Sequence, residues 1–218
     1  MTETVTDRKR IGVLVSGAGS NLAALLERAA EPNFPGEVVL VISNRRDAGA
    51  LGVAGNWKVA SVAMPAEDFG DRSARDLAML GKMREANVDL VVCAGYDRVL
   101  SDEFLAGYPD AILNVHPSLL PAFAGGLRAV EDALEHGVRV TGCTVHFVAP
   151  GGTDGGPIVL QGAVLVDPGD DAESLALRIH EQEWRLLPDA VSLWCQGRLV
   201  REGRRVRVRN GHARPVPV

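Results

Sequence analysis

Three side chains of this 218-residue chain are of the types and spacing that could do chemistry together. Asn114 and His116 stand one residue apart at the end of the apolar run Ala111 to Val115, inside the string Asn114-Val115-His116-Pro117-Ser118-Leu119-Leu120-Pro121. On an extended backbone alternate side chains share a face, so one site can use both. A carboxamide donates to an oxygen on which negative charge develops, and an imidazole gives or takes a proton near neutral pH, so the pair suits addition to a carbonyl. A carboxylate beside the ring would favour its charged form and keep it a competent acid. Asp154, in the stretch Gly151-Gly152-Thr153-Asp154-Gly155-Gly156-Pro157, is the candidate. Spacing alone leaves its distance from His116 open, and an isolated Asn-x-His also suits a hydrogen-bonded turn. His146 shares a strand face with Thr144 two residues earlier and reads first as a satisfied, partly buried histidine. The five histidines lack the clustering that a metal requires, and no metal is expected.

A second feature binds rather than reacts. The run Ile11 to Val15 leads directly into Ser16-Gly17-Ala18-Gly19-Ser20-Asn21, and a helix-period segment opens after it. Strand, glycine turn and helix N-terminus in that order present backbone N–H groups and the positive end of a helix dipole to an anion. Leu22 stands where a dinucleotide loop has its third glycine. The second strand is followed by Ser43-Asn44-Arg45-Arg46, without the acidic residue that holds a ribose diol. A terminal phosphate monoester fits better than a dinucleotide, and without a Walker lysine nucleotide hydrolysis is not expected.

The elements that must position these residues alternate in type. Apolar, β-branched runs at Ile11 to Val15, Val38 to Ile42, Val88 to Cys93 and Ala111 to Val115 predict strands, and Asn21 to Ala30, Ala48 to Trp57 and Arg72 to Asn87 predict helices, the last capped by Asp71. This is the pattern of βαβ units. Further on, Val140 to Val148 and Ile158 to Val166 read as strands, Ala172 to about Leu187 as a helix, and Arg198 to Arg209 as a hairpin turning at Glu202-Gly203. His136, before Gly137, marks a helix end. The expected fold is α/β, a Rossmann-like mononucleotide-binding half on a mostly parallel sheet followed by a mixed-sheet C-terminal part. The expected organisation is a flexible tail over 1–10, one domain over 11–198 with a phosphate-binding half (11–115) and a catalytic half (116–198), and a hairpin and tail over 199–218.

Composition bounds the partners. A chain of this length buries roughly 70% of its unfolded surface, enough for a core without disulfides or structural metals. Cys93, Cys143 and Cys195 form no CxxC pair and read as free thiols. No apolar run approaches the roughly 18 residues of a membrane helix, and no secretory leader is visible, so the cytoplasm is expected. The net charge of -5 argues against nucleic acid and anionic membranes, and the alternating Arg205-Val206-Arg207-Val208-Arg209 reads as an edge strand with a solvated face.

The chain resembles the formyltransferases that use 10-formyltetrahydrofolate. The resemblance runs from about Ile11 to about Arg198 and rests on Ser16 to Asn21, Asn114 to Pro121, Gly142-Cys143-Thr144-Val145-His146-Phe147 and Asp154 to Pro157. It implies the formyltransferase fold, 10-formyltetrahydrofolate as co-substrate and small-molecule partners only, with a monomer or homodimer as the working unit. Within the family the phosphate loop resembles that of members acting on 5'-phosphoribosylglycinamide, which implies formylation of that amine in de novo purine biosynthesis. Asn114, His116 and Asp154 then correspond to the catalytic residues, with Thr144 and His146 in support. Gly19, Ser20, Asn21 and Glu183 correspond to the ribonucleotide site, and Arg72, Asp97, Arg98, Val99, Leu100 and Asn114 to the folate side.

Three departures from the family pattern bear on this. Asp97 stands where an apolar residue is usual, which would turn an extra carboxylate toward the pterin. The loops around 124–126 and 149–153 each seem one residue longer. A 10-formyltetrahydrofolate hydrolase and a formyltransferase acting on another amine are the alternatives. The first usually carries an N-terminal regulatory domain and the second a long C-terminal extension, for which ten residues before Ile11 and about twenty after Arg198 leave no room. A phosphate sensor without chemistry would be expected to have lost Asn114, His116 or Asp154.

Overall fold

The computed structural model describes residues 8–150 and 153–209. The chain divides into two compact units, Met1–Leu113 and Asn114–Val218.

In the first unit the strands β1 (Lys9–Val15), β2 (Gly36–Ser43), β3 (Ala60–Ala63) and β4 (Leu90–Cys93) pair in parallel in the order β3-β2-β1-β4. Helices α1 (Ser20–Ala29), α2 (Gly49–Asn56), α3 (Arg72–Glu85) and α4 (Asp102–Gly107) connect and flank them. Parallel strands covered on both faces must be apolar throughout, and residues 11–15 of β1 and all of β4 are fully buried. Asp71 caps α3 as expected, its carboxylate accepting the Ala74 N–H at 2.8 Å. Lys9 and Arg10 belong to β1 and not to the tail expected before Ile11; residues 1–7 of that tail lie outside the described residues.

The strand β5 (Ile112–His116) carries the chain into the second unit. There α5 (Ala129–Glu135) is followed by an antiparallel pair, β6 (Val140–Phe147) and β7 (Ile158–Leu165), against which the long helix α6 (Ala172–Cys195) packs. Parallel strands in one unit and an antiparallel pair in the other make the mixed α/β architecture predicted. The terminal hairpin, β8 (Leu199–Glu202) and β9 (Arg205–Val208), turns at Gly203. Its arginines are exposed and its valines half-buried, as an edge strand requires. The tail beyond Arg209, with His212, lies outside the described residues.

Helix α6 runs past the end expected near Leu187. Proline inside a helix costs about 3 kcal/mol, but Leu186, Leu187, Ala190 and Val191 are all buried on either side of Pro188. At ~1.5–3 kcal/mol for each fully buried large apolar side chain, continued packing outweighs the proline. Strand β3 and helix α4 were not anticipated, and of α5 only the end at His136 was. Strand β3 is four residues long and half-exposed, too short for a periodicity. Helices α4 and α5 are six and seven residues long, and α4 did carry an N-cap signal in Ser101, whose hydroxyl accepts the Phe104 N–H.

Candidate active site

Alternation along β5 puts Asn114 and His116 on one face, and β6 contributes Thr144 and His146 by the same period. His116, 5% exposed, lies with Nδ1 3.3 Å from Oδ2 of Asp154 and Nε2 3.0 Å from the carbonyl oxygen of Phe123. Both ring nitrogens thus face oxygens that can only accept. Asn114 directs Nδ2 at Nε2 of His146 (3.0 Å) and at Oδ1 of Asp154 (3.4 Å). His146 is 1% exposed, and its Nδ1 lies 2.9 Å from the Phe147 carbonyl oxygen. That carbonyl can only accept, so Nδ1 donates to it, while Nε2 faces both the Asn114 amide and the Asp154 carboxylate. His146 is therefore more than a satisfied core histidine: it touches both Asn114 and Asp154, the latter at 3.5 Å.

Asp154 reaches this cluster through a strained turn. Its φ is 57°, in the left-handed region that Asp tolerates better than most residues. Two positions on, a Cβ on Gly156 would lie 1.7 Å from the Phe147 carbonyl oxygen, so glycine is required for the loop to lie against β6. The Gly125 N–H donates to Oδ2 of Asp154 at 2.9 Å. Burial pushes the Asp154 carboxyl up, but the hydrogen bond with His146, the Gly125 N–H and the charges of His116 and His146 outweigh it, and the net shift is downward. The site holds an ionised carboxylate. Of the longer loops, 122–127 supplies Phe123 and Gly125 to the site, whereas residues 151 and 152 lie outside the described residues.

Thr144 works one layer further out. Its hydroxyl donates to the Ser118 carbonyl (2.7 Å) and accepts from the Leu120 N–H and from Gln161 Nε2, each at 3.0 Å. Gln161 pairs opposite Thr144 in the β6–β7 register and also grips the Leu120 carbonyl. The segment after His116 is thereby fixed. Sequence reasoning missed Gln161, although a lone amide in the run Ile158-Val159-Leu160-Gln161 was a signal. It also missed Phe123 and Gly125, which act through backbone atoms and leave only the glycine doublet Gly125-Gly126 as a trace.

Glu183 lies on α6, 3% exposed, with Oε2 2.9 Å from Nδ1 of the half-exposed His180. That hydrogen bond raises the His180 pKa against the opposing effect of burial.

In the first unit the loop Ser16 to Asn21 follows β1 and enters α1, whose N-terminus has no side-chain cap. Gly19, at φ 90°, is the N-cap, and a Cβ there would meet the Ala50 backbone at 2.7 Å. The carboxylate of Asp97 accepts from Ser16 Oγ (3.0 Å) and Asn44 Nδ2 (2.8 Å), pairs with Arg45, and lies 3.5 Å from Arg98 Nε. Burial raises the Asp97 pKa, but these hydrogen bonds and charges bring it below the ordinary value. Both oxygens of Asp97 are thus engaged inside the first unit. Arg98 also lines a cavity of about 290 Å³ with Asn44, Arg45, Arg46 and Arg75. Leu100 is buried, whereas Arg72 and Val99 are exposed, and no recorded contact joins Arg72 to this network. Among the described residues no group of three or more His, Cys, Asp or Glu could hold a metal ion.

Amide and imidazole nitrogens held against an ionised carboxylate, on an α/β scaffold, are groups able to donate to an oxygen that gains negative charge. The chain belongs to the formyl transferase family, whose model matches residues 9–191. It is 37% identical over 191 residues to the phosphoribosylglycinamide formyltransferase of Haemophilus influenzae, covering 88% of this chain and 89% of that one. It is 41% identical over 192 residues to the trifunctional purine biosynthetic protein adenosine-3 of Gallus gallus, a match over 88% of this chain that spans only 19% of the trifunctional protein. Among solved structures, glycinamide ribonucleotide transformylase 1 of Symbiobacterium toebii superposes with a TM-score of 0.90 at 49% identity, covering 92% of this chain and 94% of that one. The formyltransferase fold expected from the sequence is the one present.

Proposed function

We propose that the protein transfers the formyl group of 10-formyltetrahydrofolate to the amino group of 5'-phosphoribosylglycinamide, giving the formylated ribonucleotide and tetrahydrofolate in de novo purine biosynthesis. The observation that carries this reading is the His116 ring set between the Asp154 carboxylate and the Phe123 carbonyl oxygen, with the Asn114 amide turned toward the same carboxylate. The near full-length similarity to the Haemophilus enzyme supports the choice of substrate.

Bound 10-formyltetrahydrofolate supplies an activated one-carbon carbonyl. The donor set fits it: Asn114 Nδ2 and the His116 imidazolium are N–H donors for an oxygen gaining negative charge, and they need no protein nucleophile. The 3.4 Å contact from Asn114 to Asp154 is the weaker of its two, and a formyl oxygen would replace it. The arginines around the cavity at Arg98 fit a co-substrate whose tail carries carboxylates. As the ribonucleotide amine forms its C–N bond to the formyl carbon and the bond to the folate nitrogen breaks, one proton leaves the amine and one arrives at that nitrogen. Asp154 holds His116 charged and takes part in moving these protons. In this reading Gly19, Ser20 and Asn21 bind the substrate phosphate and Glu183 the ribose. Arg72, Arg98, Val99 and Leu100, with Asn114, serve the folate side, and residues 11–198 work as one catalytic domain.

The unit acts on small molecules, as a monomer or homodimer, without metal or nucleic acid. Among the described residues no helix is long and apolar enough to cross a membrane. The free, buried thiols of Cys93 and Cys143 support a reducing compartment, the cytoplasm. The test is a steady-state assay of folate product with both substrates present and with each omitted. Turnover only with both supports the transferase; equal turnover without the ribonucleotide would make the protein a hydrolase.

A further inference from the structure

We infer that Asp97 is a positioning residue for the phosphate loop: it ties Ser16, where the loop begins, to the residues following β2 and β4. The inference rests on the reading of Gly19, Ser20 and Asn21 as the phosphate site.

The geometry is reciprocal. Ser16 Oγ donates to Asp97 Oδ1 at 3.0 Å and accepts the Asp97 N–H at 2.9 Å, while the Ser16 N–H donates to the Gly95 carbonyl at 3.1 Å. Asn44, following β2, donates to the same Oδ1 at 2.8 Å, and Arg45 pairs with Oδ2. Ser16 and Asn44 are both buried, so these are contacts that water does not readily replace. The amide of Asn44 cannot be reversed without setting its oxygen against the carboxylate, and its buried Oδ1 has no other partner that would reward reversal.

The loop needs an anchor from outside itself. Gly17 has nothing within 4 Å of a built Cβ, and residues 17 and 18 are exposed. Beyond Ser16 the recorded support is the Ala50 N–H on the Gly17 carbonyl at 3.1 Å and the packing of Gly19 on Ala50. Glycine-rich backbone of this kind samples many conformations unless tied. Asp97 fixes one end and Ala50 the other, so the loop's N–H groups are aimed before the phosphate arrives, and preorganisation of that kind appears as affinity.

The variants Asp97→Ala and Asp97→Asn of the full chain test this by three readouts: amide hydrogen exchange over residues 16–20, the Kd for ribose 5-phosphate, and KM for each substrate. For Asp97→Ala we expect faster exchange and about tenfold weaker binding of ribose 5-phosphate and of the ribonucleotide, with the KM of the ribonucleotide rising more than that of the folate. Asp97→Asn retains an oxygen that accepts from Ser16 and Asn44, and should recover most of the loss. Unchanged exchange in Asp97→Ala overturns the inference, as does a rise in the folate KM alone, which would make Asp97 a folate contact. Equal loss in both variants also overturns it. Wild-type protein that does not bind ribose 5-phosphate overturns the phosphate-site reading itself, and is recognised before any variant is compared.

Discussion

Oδ2 of Asp154 lies 3.3 Å from Nδ1 of His116, while the other nitrogen of the same ring faces the Phe123 carbonyl oxygen at 3.0 Å. Each of these oxygens can only accept, so the ring is held between two acceptors. Burial raises the Asp154 pKa, but hydrogen bonding with His146, the Gly125 N–H and the neighbouring histidines bring it below the ordinary value, and the carboxylate is ionised.

The first prediction removes that charge. Asp154→Asn retains the size of the side chain but takes away the negative charge beside the ring. Turnover should fall by about two to four orders of magnitude with the KM of each substrate within a few-fold. Steady-state kinetics checks it; a loss confined to KM would remove Asp154 from the chemistry.

His146 orients without donating to substrate. With its Nδ1 proton on the Phe147 carbonyl, its Nε2 lies 3.0 Å from the Asn114 amide nitrogen. His146→Ala leaves that amide free to rotate and should lower kcat about 10- to 100-fold. The KM for the ribonucleotide should change little, because His146 has no role at the phosphate. Single-turnover kinetics separate the two, and a change in KM alone would contradict the assignment.

Much of this was legible in sequence because it obeys local rules. The period of two on β5 placed Asn114 and His116 together, and Asp71 marked the start of α3. Asp154 was different: its partnership with His116 spans a turn at φ 57° whose geometry depends on Gly156 lying against Phe147, a non-local fit that no spacing encodes. Pro188 misled for a related reason. Local propensity ends a helix there, but the apolar surface of β6 and β7 carries α6 on to Cys195. Asp97 was noticed as unusual from its type alone, while its partners Ser16, Asn44 and Arg45 lie more than fifty positions away and only the fold reveals them.

The entry to α6 predicts an acid transition. Arg178 donates to Asp170, by 2.9 Å from Nη1 to Oδ1, and with the Asp167 and Ser174 contacts this lowers the Asp170 carboxyl from 3.8 to about 2. A carboxyl lowered on folding stabilises the native state above its unfolded value, and that contribution is lost as pH falls from 3.8 through about 2. Asp170→Asn should therefore be less stable than wild type at neutral pH, with the difference shrinking across that window. Urea unfolding as a function of pH checks this; a difference that persists unchanged at the acid end would show that Asp170 acts other than by its charge.

The central claim is that one carbon moves from the folate to the ribonucleotide amine. Incubating the protein with 10-formyltetrahydrofolate labelled in the formyl carbon and with 5'-phosphoribosylglycinamide, then analysing the products by mass spectrometry, tests it directly. The account predicts label in formylated ribonucleotide, at a rate abolished in His116→Ala. Label recovered as free formate at the same rate with or without the ribonucleotide would contradict it.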